Sequence, residues 1–180
     1  MYAEEDHTGG WKMIIEYQGN VPEIHSGCFI ADNAAVIGNV KLKKNASIWY
    51  GTVIRGDDNY ISIGEDTNIQ DNCTIHINRY CPTIIGDGVT VGHGAIIHAC
   101  TIGNNVLIGM GSIILDGAEI GDNAIIAAGS VIPPGKKIPS NVMVIGSPGK
   151  ITRELAEEEV LSLRATAQHY VELSNKHKKG

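Results

Sequence analysis

The sequence predicts a mainly β protein, a parallel β-helix with the outline of a triangular prism, followed by a C-terminal α-helix packed alongside it. Three observations support this fold class. Aliphatic residues recur every six positions, Gly and Asn residues recur between them, and the spacing becomes helical after residue 150. A six-residue repeat does not return to one face of a helix at 3.6 residues per turn, so it indicates short strands joined by turns.

The repeat divides the chain into three parts. We expect residues 1–12, which are polar and Gly-rich, to form a flexible extension, although Met13 is an alternative start of the chain. Residues 13–150 form the predicted β-helix domain, and residues 151–180 form the predicted C-terminal helix.

Each repeat opens with an aliphatic residue that is predicted to point into the prism. Two longer interruptions break the repeat, after Ile54 and after Ile75, and the unit that begins at Ile97 is shortened to five residues. The predicted inward positions are Ile30, Val36, Leu42, Ile48, Ile54, Ile63, Ile69, Ile75, Ile85, Val91, Ile97, Ile102, Ile108, Ile114, Ile120, Ile126 and Ile132.

The tail has the pattern of an amphipathic helix. An apolar stripe at helical spacing includes Val160, Leu163, Ala167 and Tyr170. Acidic residues cluster near the start and lysines near the end, which suits the helix dipole. Such a helix would cover apolar surface along the prism.

Composition restricts the class of function. The formal net charge of −6 argues against nucleic acid or an anionic membrane as the main partner. We find no apolar run long enough to span a bilayer and expect no signal peptide. The four cysteines form no CxxC pair, which favours reduced thiols and a cytoplasmic location.

Three polar residues occupy the same position in successive coils of the predicted prism. Arg55, His76 and His98 each follow an aliphatic opener by one residue, and these openers are three units apart. They should therefore project from one face at about 4.8 Å per coil, a spacing that lets two imidazoles share a metal ion.

A third histidine belongs to a different face. His93 follows Val91 by two positions, and its unit lies three units after the one that carries Gln70. Five residues of extended chain between His93 and His98 are too many for one ion to bind both. One chain therefore presents two half-sites, and a symmetric trimer would join the His76–His98 pair of one chain to His93 of the next.

These residues lie in segments that resemble the gamma-class carbonic anhydrases, a family of hexapeptide-repeat proteins. The six-residue repeat is shared with acyltransferases, whereas the ordered set of Arg, Asp, Gln and three His is specific. The resemblance covers nearly the whole chain from Met13 onward and is carried by residues 55–57, 68–72, 75–76, 92–98, 108–111 and 146–150.

The resemblance implies a left-handed β-helix and a metal site shared within a homotrimer. His76, His93 and His98 would bind the metal, with the first and last from one subunit and His93 from its neighbour. Zn²⁺ is the expected ion, and Fe²⁺ or Co²⁺ also suits imidazole ligands. The activity implied is reversible hydration of CO₂ to bicarbonate by a metal-bound hydroxide.

The resemblance also assigns the surrounding polar residues. Gln70 and Asn68 would orient the reacting water or bicarbonate, and Arg55 and Asp57 would form an ion pair that bridges subunits. Tyr170 matches, more loosely, a tyrosine of the terminal helix that reaches toward the pocket.

The chain departs from the family pattern in one respect. The best-known members carry a glutamate-bearing loop that shuttles the proton, whereas the interruption at residues 77–83 has no acidic residue. Two alternatives to a zinc-dependent carbonic anhydrase therefore stay open: a hexapeptide acyltransferase or related acyl-CoA enzyme, and a metal-binding homologue without catalytic activity.

Overall fold

The computed structural model describes residues 13–179, so the predicted extension at residues 1–12 lies outside the described residues. Along the chain the strands are β1 (Met13–Ile15), β2 (Glu23–Ile24), β3 (Phe29–Ile30), β4 (Ala35–Leu42), β5 (Ser47–Ile48), β6 (Val53–Ile63), β7 (Asn68–Ile69), β8 (Thr74–His76), β9 (Thr83–Ile85), β10 (Thr90–Val91), β11 (Ile96–His98), β12 (Thr101–Ile102), β13 (Leu107–Ile108), β14 (Ile113–Ile114), β15 (Glu119–Ile120), β16 (Ile125–Ile126), β17 (Val131–Ile132), β18 (Lys137–Ile138), β19 (Val142–Gly146) and β20 (Gly149–Glu154), and the helix is α1 (Glu157–His177).

The strands stack in register into a parallel solenoid of about seven turns, and this confirms the predicted fold class. Three faces can be followed along the stack. The first face contains β1, β8, β11, β14, β17 and the first halves of β4 and β6. The second face contains β2, β9, β12, β15, β18 and the second halves of β4 and β6, and the third face contains β3, β5, β7, β10, β13, β16, β19 and β20.

The core is a set of columns of stacked aliphatic side chains. Every inward residue predicted from the repeat is buried. On the first face, for example, Ile54, Ile75, Ile97, Ile114 and Ile132 are all 0% exposed and pair coil by coil. Burying one such side chain contributes about 1.5–3 kcal/mol, so these columns are a large part of the stability of the solenoid.

Successive coils lie so close that some corners exclude any side chain. A Cβ atom on Gly64 would lie 2.2 Å from the carbonyl oxygen of Gly86 in the next coil. At another corner, the amides of Asn105, Asn123 and Asn141 form a ladder of hydrogen bonds, each residue having a positive φ. Both devices let the backbone turn sharply at the same place in successive coils.

The end of the chain differs in one respect from the sequence prediction. Helix α1 begins at Glu157, whereas residues Gly149–Glu154 form β20, which pairs antiparallel with β19. The segment is exposed apart from Gly149 and is held by its pairing with β19, and Arg153 binds Glu159 through both terminal guanidinium nitrogens once the chain has turned. Glu159 also accepts a hydrogen bond from the backbone N–H of Ala156, which fixes the start of α1.

Helix α1 packs along the third face against β3, β5, β7 and β10. Leu163, Ala167 and Val171 are buried against that face. At the far end of the helix, the ring of His177 lies 5.7 Å from that of Phe29 and 5.1 Å from that of Trp49. Within the described part of the chain, α1 lacks the continuous apolar length that a membrane-spanning helix requires.

Candidate metal centre

The first face brings two of the predicted histidines into contact. Residues Arg55, His76 and His98 are direct neighbours across β6, β8 and β11, as the repeat predicts. The Nδ1 atom of His76 lies 3.2 Å from the Nε2 atom of His98, and the ring centroids are 5.2 Å apart. These two nitrogens converge on one point outside the prism.

Each of these histidines is hydrogen-bonded to a carboxylate on its other nitrogen. Asp57 accepts from Nε2–H of His76 at 3.0 Å, and it also forms an ion pair with Arg55. Asp116 accepts from Nδ1–H of His98. In the neutral form, an imidazole has one N–H and one lone pair, so both carboxylates leave a lone pair on the nitrogens that face each other.

Two lone pairs 3.2 Å apart repel one another unless a cation lies beside them. The separation matches neighbouring ligands of a tetrahedral ion, which would be about 3.3 Å apart for Zn–N bonds of 2.0–2.1 Å. Histidine ligands of metals commonly donate their second N–H to a carboxylate, and both rings do so here. The residues present therefore fit a divalent metal ion with imidazole ligands.

The electrostatic surroundings favour neutral imidazole at His76. Burial lowers the pKa of His76, and the positive charge of the Arg55 guanidinium lowers it further. Partial burial opposes ionisation of Asp116, but its hydrogen bonds from His98 and Asn78 outweigh that effect and lower its pKa. These shifts favour His76 as a neutral ligand and Asp116 as an ionised partner of His98.

The third face carries the other predicted polar residues. His93 follows β10, and its Nδ1 lies 2.8 Å from Asp71. Its free lone pair is therefore on Nε2, as in His98. Gln70 is 5% exposed and donates its amide N–H to Asn68 at 3.2 Å. Asn68, which is fully buried, donates in turn to Thr90 at 2.9 Å. This chain of hydrogen bonds fixes the orientation of the Gln70 amide.

Helix α1 places Tyr170 beside these residues. Tyr170, Gln70 and His93 line one mainly apolar groove of about 410 Å³ between α1 and the third face. The Tyr170 ring packs edge-on against Trp49, with centroids 5.6 Å apart. Burial and the negative charge of Asp71 raise the pKa of Tyr170, which keeps its hydroxyl protonated at neutral pH.

The structure keeps the two predicted half-sites apart. Within residues 13–179, no group of three His, Cys, Asp or Glu side chains has the geometry to hold a metal ion. His93 lies on the third face, whereas His76 and His98 lie on the first. The expected subunit-bridging pair of Arg55 and Asp57 is, in the single chain, an ion pair within that chain.

The two fully buried cysteines do not have the properties of metal ligands or nucleophiles. Cys73 and Cys100 are buried, and burial raises the pKa of their thiols to about 11 and about 12 respectively. Both thiols are therefore protonated at neutral pH.

Three residues of the site were not predicted as such from the sequence: Asp71, Asp116 and Asn78. The position of Asp116 could have been found from the lengths of the repeat units that pair with each other. Ile97 pairs with Ile114, and Thr101 pairs with Glu119. The unit that begins at Ile114 therefore has one more residue at that corner than the unit that begins at Ile97. The carboxylate of Asp116 at that longer corner reaches His98.

Comparisons with known proteins first identify the class of the fold. The family described as "Hexapeptide repeat of succinyl-transferase" matches residues 60–99, and "Bacterial transferase hexapeptide (six repeats)" matches residues 99–134. The solenoid is therefore of the hexapeptide-repeat class.

Curated relatives identify the family more narrowly. A carbonic anhydrase of Geobacillus kaustophilus is 50% identical over 89% of this chain and 88% of its own length. A probable carbonic anhydrase of Methanocaldococcus jannaschii is 52% identical over 81% of this chain and 91% of its own. Gamma carbonic anhydrase 2 of Arabidopsis thaliana, a mitochondrial protein, is 40% identical over 96% of this chain, which spans 64% of that longer protein. The chain belongs to the gamma-class carbonic anhydrase family.

Solved structures agree on the fold and carry different names. A hexapeptide transferase family protein of Anaplasma phagocytophilum matches with a TM-score of 0.88 and 47% identity, over 92% of this chain and 98% of that one. A putative acetyltransferase of Bacillus cereus matches with a TM-score of 0.92 and 46% identity, over 93% and 98%. The choice between carbonic anhydrase and acyl transfer therefore depends on the site.

Proposed function

We propose that the protein catalyses reversible hydration of CO₂ at a metal centre shared between neighbouring chains of a homotrimer. One observation carries the proposal: Asp57 and Asp116 bind the N–H groups of two histidines whose lone pairs then converge at 3.2 Å. An acyltransferase that uses one histidine as a base has no need for a second lone pair at that distance.

The ligand set would be His76 and His98 of one chain with His93 of a neighbouring copy. A divalent ion held by three neutral imidazoles lowers the pKa of water to about 7, which provides a nucleophile for CO₂ at neutral pH. Zn²⁺ is the proposed ion, with Fe²⁺ or Co²⁺ as alternatives that accept the same ligands.

The chain's own polar residues would bind and orient the reactants. Asn68 holds Gln70 so that its carbonyl oxygen is available as an acceptor in the groove, where it can orient a water molecule. The Tyr170 hydroxyl, which is protonated, supplies a donor to a bicarbonate oxygen in the same groove. The apolar walls accommodate CO₂, and the Arg55 guanidinium attracts bicarbonate.

The proposed trimer has a candidate interface on the first face. An outward column made of Val53, Thr74, Ile96 and Ile113 runs directly beside the His76–His98 pair, and its apolar members Val53 and Ile96 are 39% and 40% exposed. Association through this face would cover apolar surface and bring a second chain to the converging lone pairs. A cyclic, heterologous contact gives each chain one complete site with its neighbour.

We also propose a cytoplasmic location. Cys28, Cys73, Cys81 and Cys100 are all unpaired in the described chain, which supports a reducing compartment.

The test is metal content and CO₂ hydration measured on the same preparations. We expect wild-type protein purified without oxygen to contain one metal ion per chain, to hydrate CO₂ and to be a trimer by light scattering. His98→Ala should lose both metal and hydration, whereas the exposed His25→Ala should keep both.

Each alternative predicts a different result. Metal without hydration in the wild-type protein would favour a non-catalytic homologue, which the lack of an acid at residues 77–83 supports. Protein without metal that transfers an acyl group from acyl-CoA would favour the acyltransferase suggested by the names of the solved structures. An active, metal-loaded monomer would exclude the shared site.

A further inference from the structure

The loop between β8 and β9, residues 77–82, is attached to the metal centre through Asn78. The Nδ2 atom of Asn78 donates to Oδ2 of Asp116 at 2.7 Å, and Oδ1 of the same carboxylate accepts from His98. Both oxygens of Asp116 are therefore bound. A carboxylate held at both oxygens cannot swing about its bond, so the direction of its bond to His98 is fixed.

The loop fixes the orientation of the Asn78 side chain. Its Oδ1 accepts from the backbone N–H groups of Tyr80 and Cys81, each at 2.8 Å, and its backbone pairs with that of Cys81. With the oxygen held by the turn, the amide nitrogen can only point away from the turn, toward Asp116. The contact therefore follows from the conformation of the loop.

The other end of the loop is tied to the second histidine. The hydroxyl of Thr83, a fully buried residue, donates to the carbonyl oxygen of His76 at 2.5 Å. That oxygen also accepts from the backbone N–H of Ala99, the residue after His98. The loop is thus linked to His98 through Asp116, and the residue that follows it, Thr83, is bound to the backbone of His76.

We propose that Asn78 is a positioning residue for the metal centre. It acts through Asp116 to hold the His98 ring with its Nε2 atom facing Nδ1 of His76. The inference rests on the proposed metal site, and it gives the loop without an acidic residue a role in metal retention. Because the effect passes through a hydrogen-bond donor, loss of that donor should weaken metal binding without loss of the fold.

The variant Asn78→Ser isolates this donor. A serine hydroxyl can still accept from the turn N–H groups, adds no charge, and is too short to reach Asp116. Asn104→Ser is the matched control, because Asn104 also accepts from a backbone N–H and donates to an aspartate, Asp122, at a corner without histidine.

We expect Asn78→Ser to remain trimeric and to bind Zn²⁺ about 10- to 100-fold more weakly in competition with a chelator, with Asn104→Ser unchanged. A second readout uses metal-free protein with ¹⁵N-labelled histidine at pH 8. There the His98 ring should hold one tautomer, protonated at Nδ1, in the wild type, and should average between two tautomers in Asn78→Ser.

Three results would overturn the positioning role. They are Zn²⁺ affinity in Asn78→Ser within about twofold of the wild type, an unchanged His98 tautomer, or dissociation of the trimer, which would assign Asn78 to assembly. Wild-type protein that binds no Zn²⁺ would refute the proposed function separately, and the His98 tautomer in metal-free protein would then still decide the role of Asn78.

Discussion

Mixing two inactive variants should restore activity if the metal centre is shared between chains. His98 lies on the first face and His93 on the third, so a single substitution removes one half-site and leaves the other half-site of the same chain intact. Trimers made only of His93→Ala chains or only of His98→Ala chains should therefore contain no complete site. A mixed trimer can contain complete sites, because each variant supplies the half that the other lacks.

The size of the recovery follows from the arrangement of the faces. A complete site requires that the chain supplying the His76–His98 pair is of the His93→Ala type, and that its neighbour is of the His98→Ala type. With random mixing in equal amounts each condition holds for half of the positions, so about one quarter of all sites should bind metal. Metal content and CO₂ hydration should both recover to about one quarter of the wild-type value.

The assay is co-refolding or co-expression of the two variants with different affinity tags. The unfractionated mixture should show the recovery of about one quarter, and isolated mixed trimers, each with one complete site in three, should show about one third. The matched control is a mixture of His76→Ala and His98→Ala, which damage the same half-site and should give no recovery. If the first mixture forms trimers by light scattering yet recovers no metal, the three histidines do not form a shared site. Recovery in the control mixture would equally refute the assignment of half-sites.

Three further predictions concern single residues. The hydrogen bonds from Arg153 lower the pKa of the Glu159 carboxyl from 4.5 to about 2. Glu159 therefore binds fewer protons in the folded protein than in the unfolded protein. Its stabilising effect on α1 is present above pH 4.5 and is lost as the pH falls toward 2, and circular dichroism should show a smaller acid-induced loss of helix in Glu159→Gln. Gly64→Ala should lower the free energy of unfolding in urea by about 3 kcal/mol because of backbone overlap, whereas Gly129→Ala, in open space at a φ of 69°, should lower it by about 1 kcal/mol. Asp71→Asn should weaken Zn²⁺ binding about 10- to 100-fold, since it alters the bond that orients His93; equal affinity would contradict that role.

The stacking of residues could be predicted from the sequence because the solenoid repeats. Once Ile54, Ile75 and Ile97 are assigned to one column, the register of Arg55, His76 and His98 follows without further information. The placement of His93 and His98 on different faces follows from the same count of six-residue units. These are properties of the backbone, and the six-residue period encodes them directly.

Side-chain contacts at the interruptions could not be predicted in this way. The bond from Asn78 to Asp116 joins residues 38 positions apart, and it depends on how the 77–82 loop folds. The start of α1 was also missed, because charged residues between 151 and 156 fit a helix and an exposed strand equally well. Pairing with β19 decided in favour of the strand.

Helix α1 joins the two ends of the solenoid. Two residues separate it from the last strand, and it ends with His177 against Phe29 of β3, in an early coil. Repeat arrays usually unfold from their ends, since each coil contacts only its neighbours. Here the terminal coils are fastened to each other by a helix that crosses the coils between them. We therefore expect fraying of the third face at either end to require release of the helix, so that the groove beside Tyr170 opens in the same event.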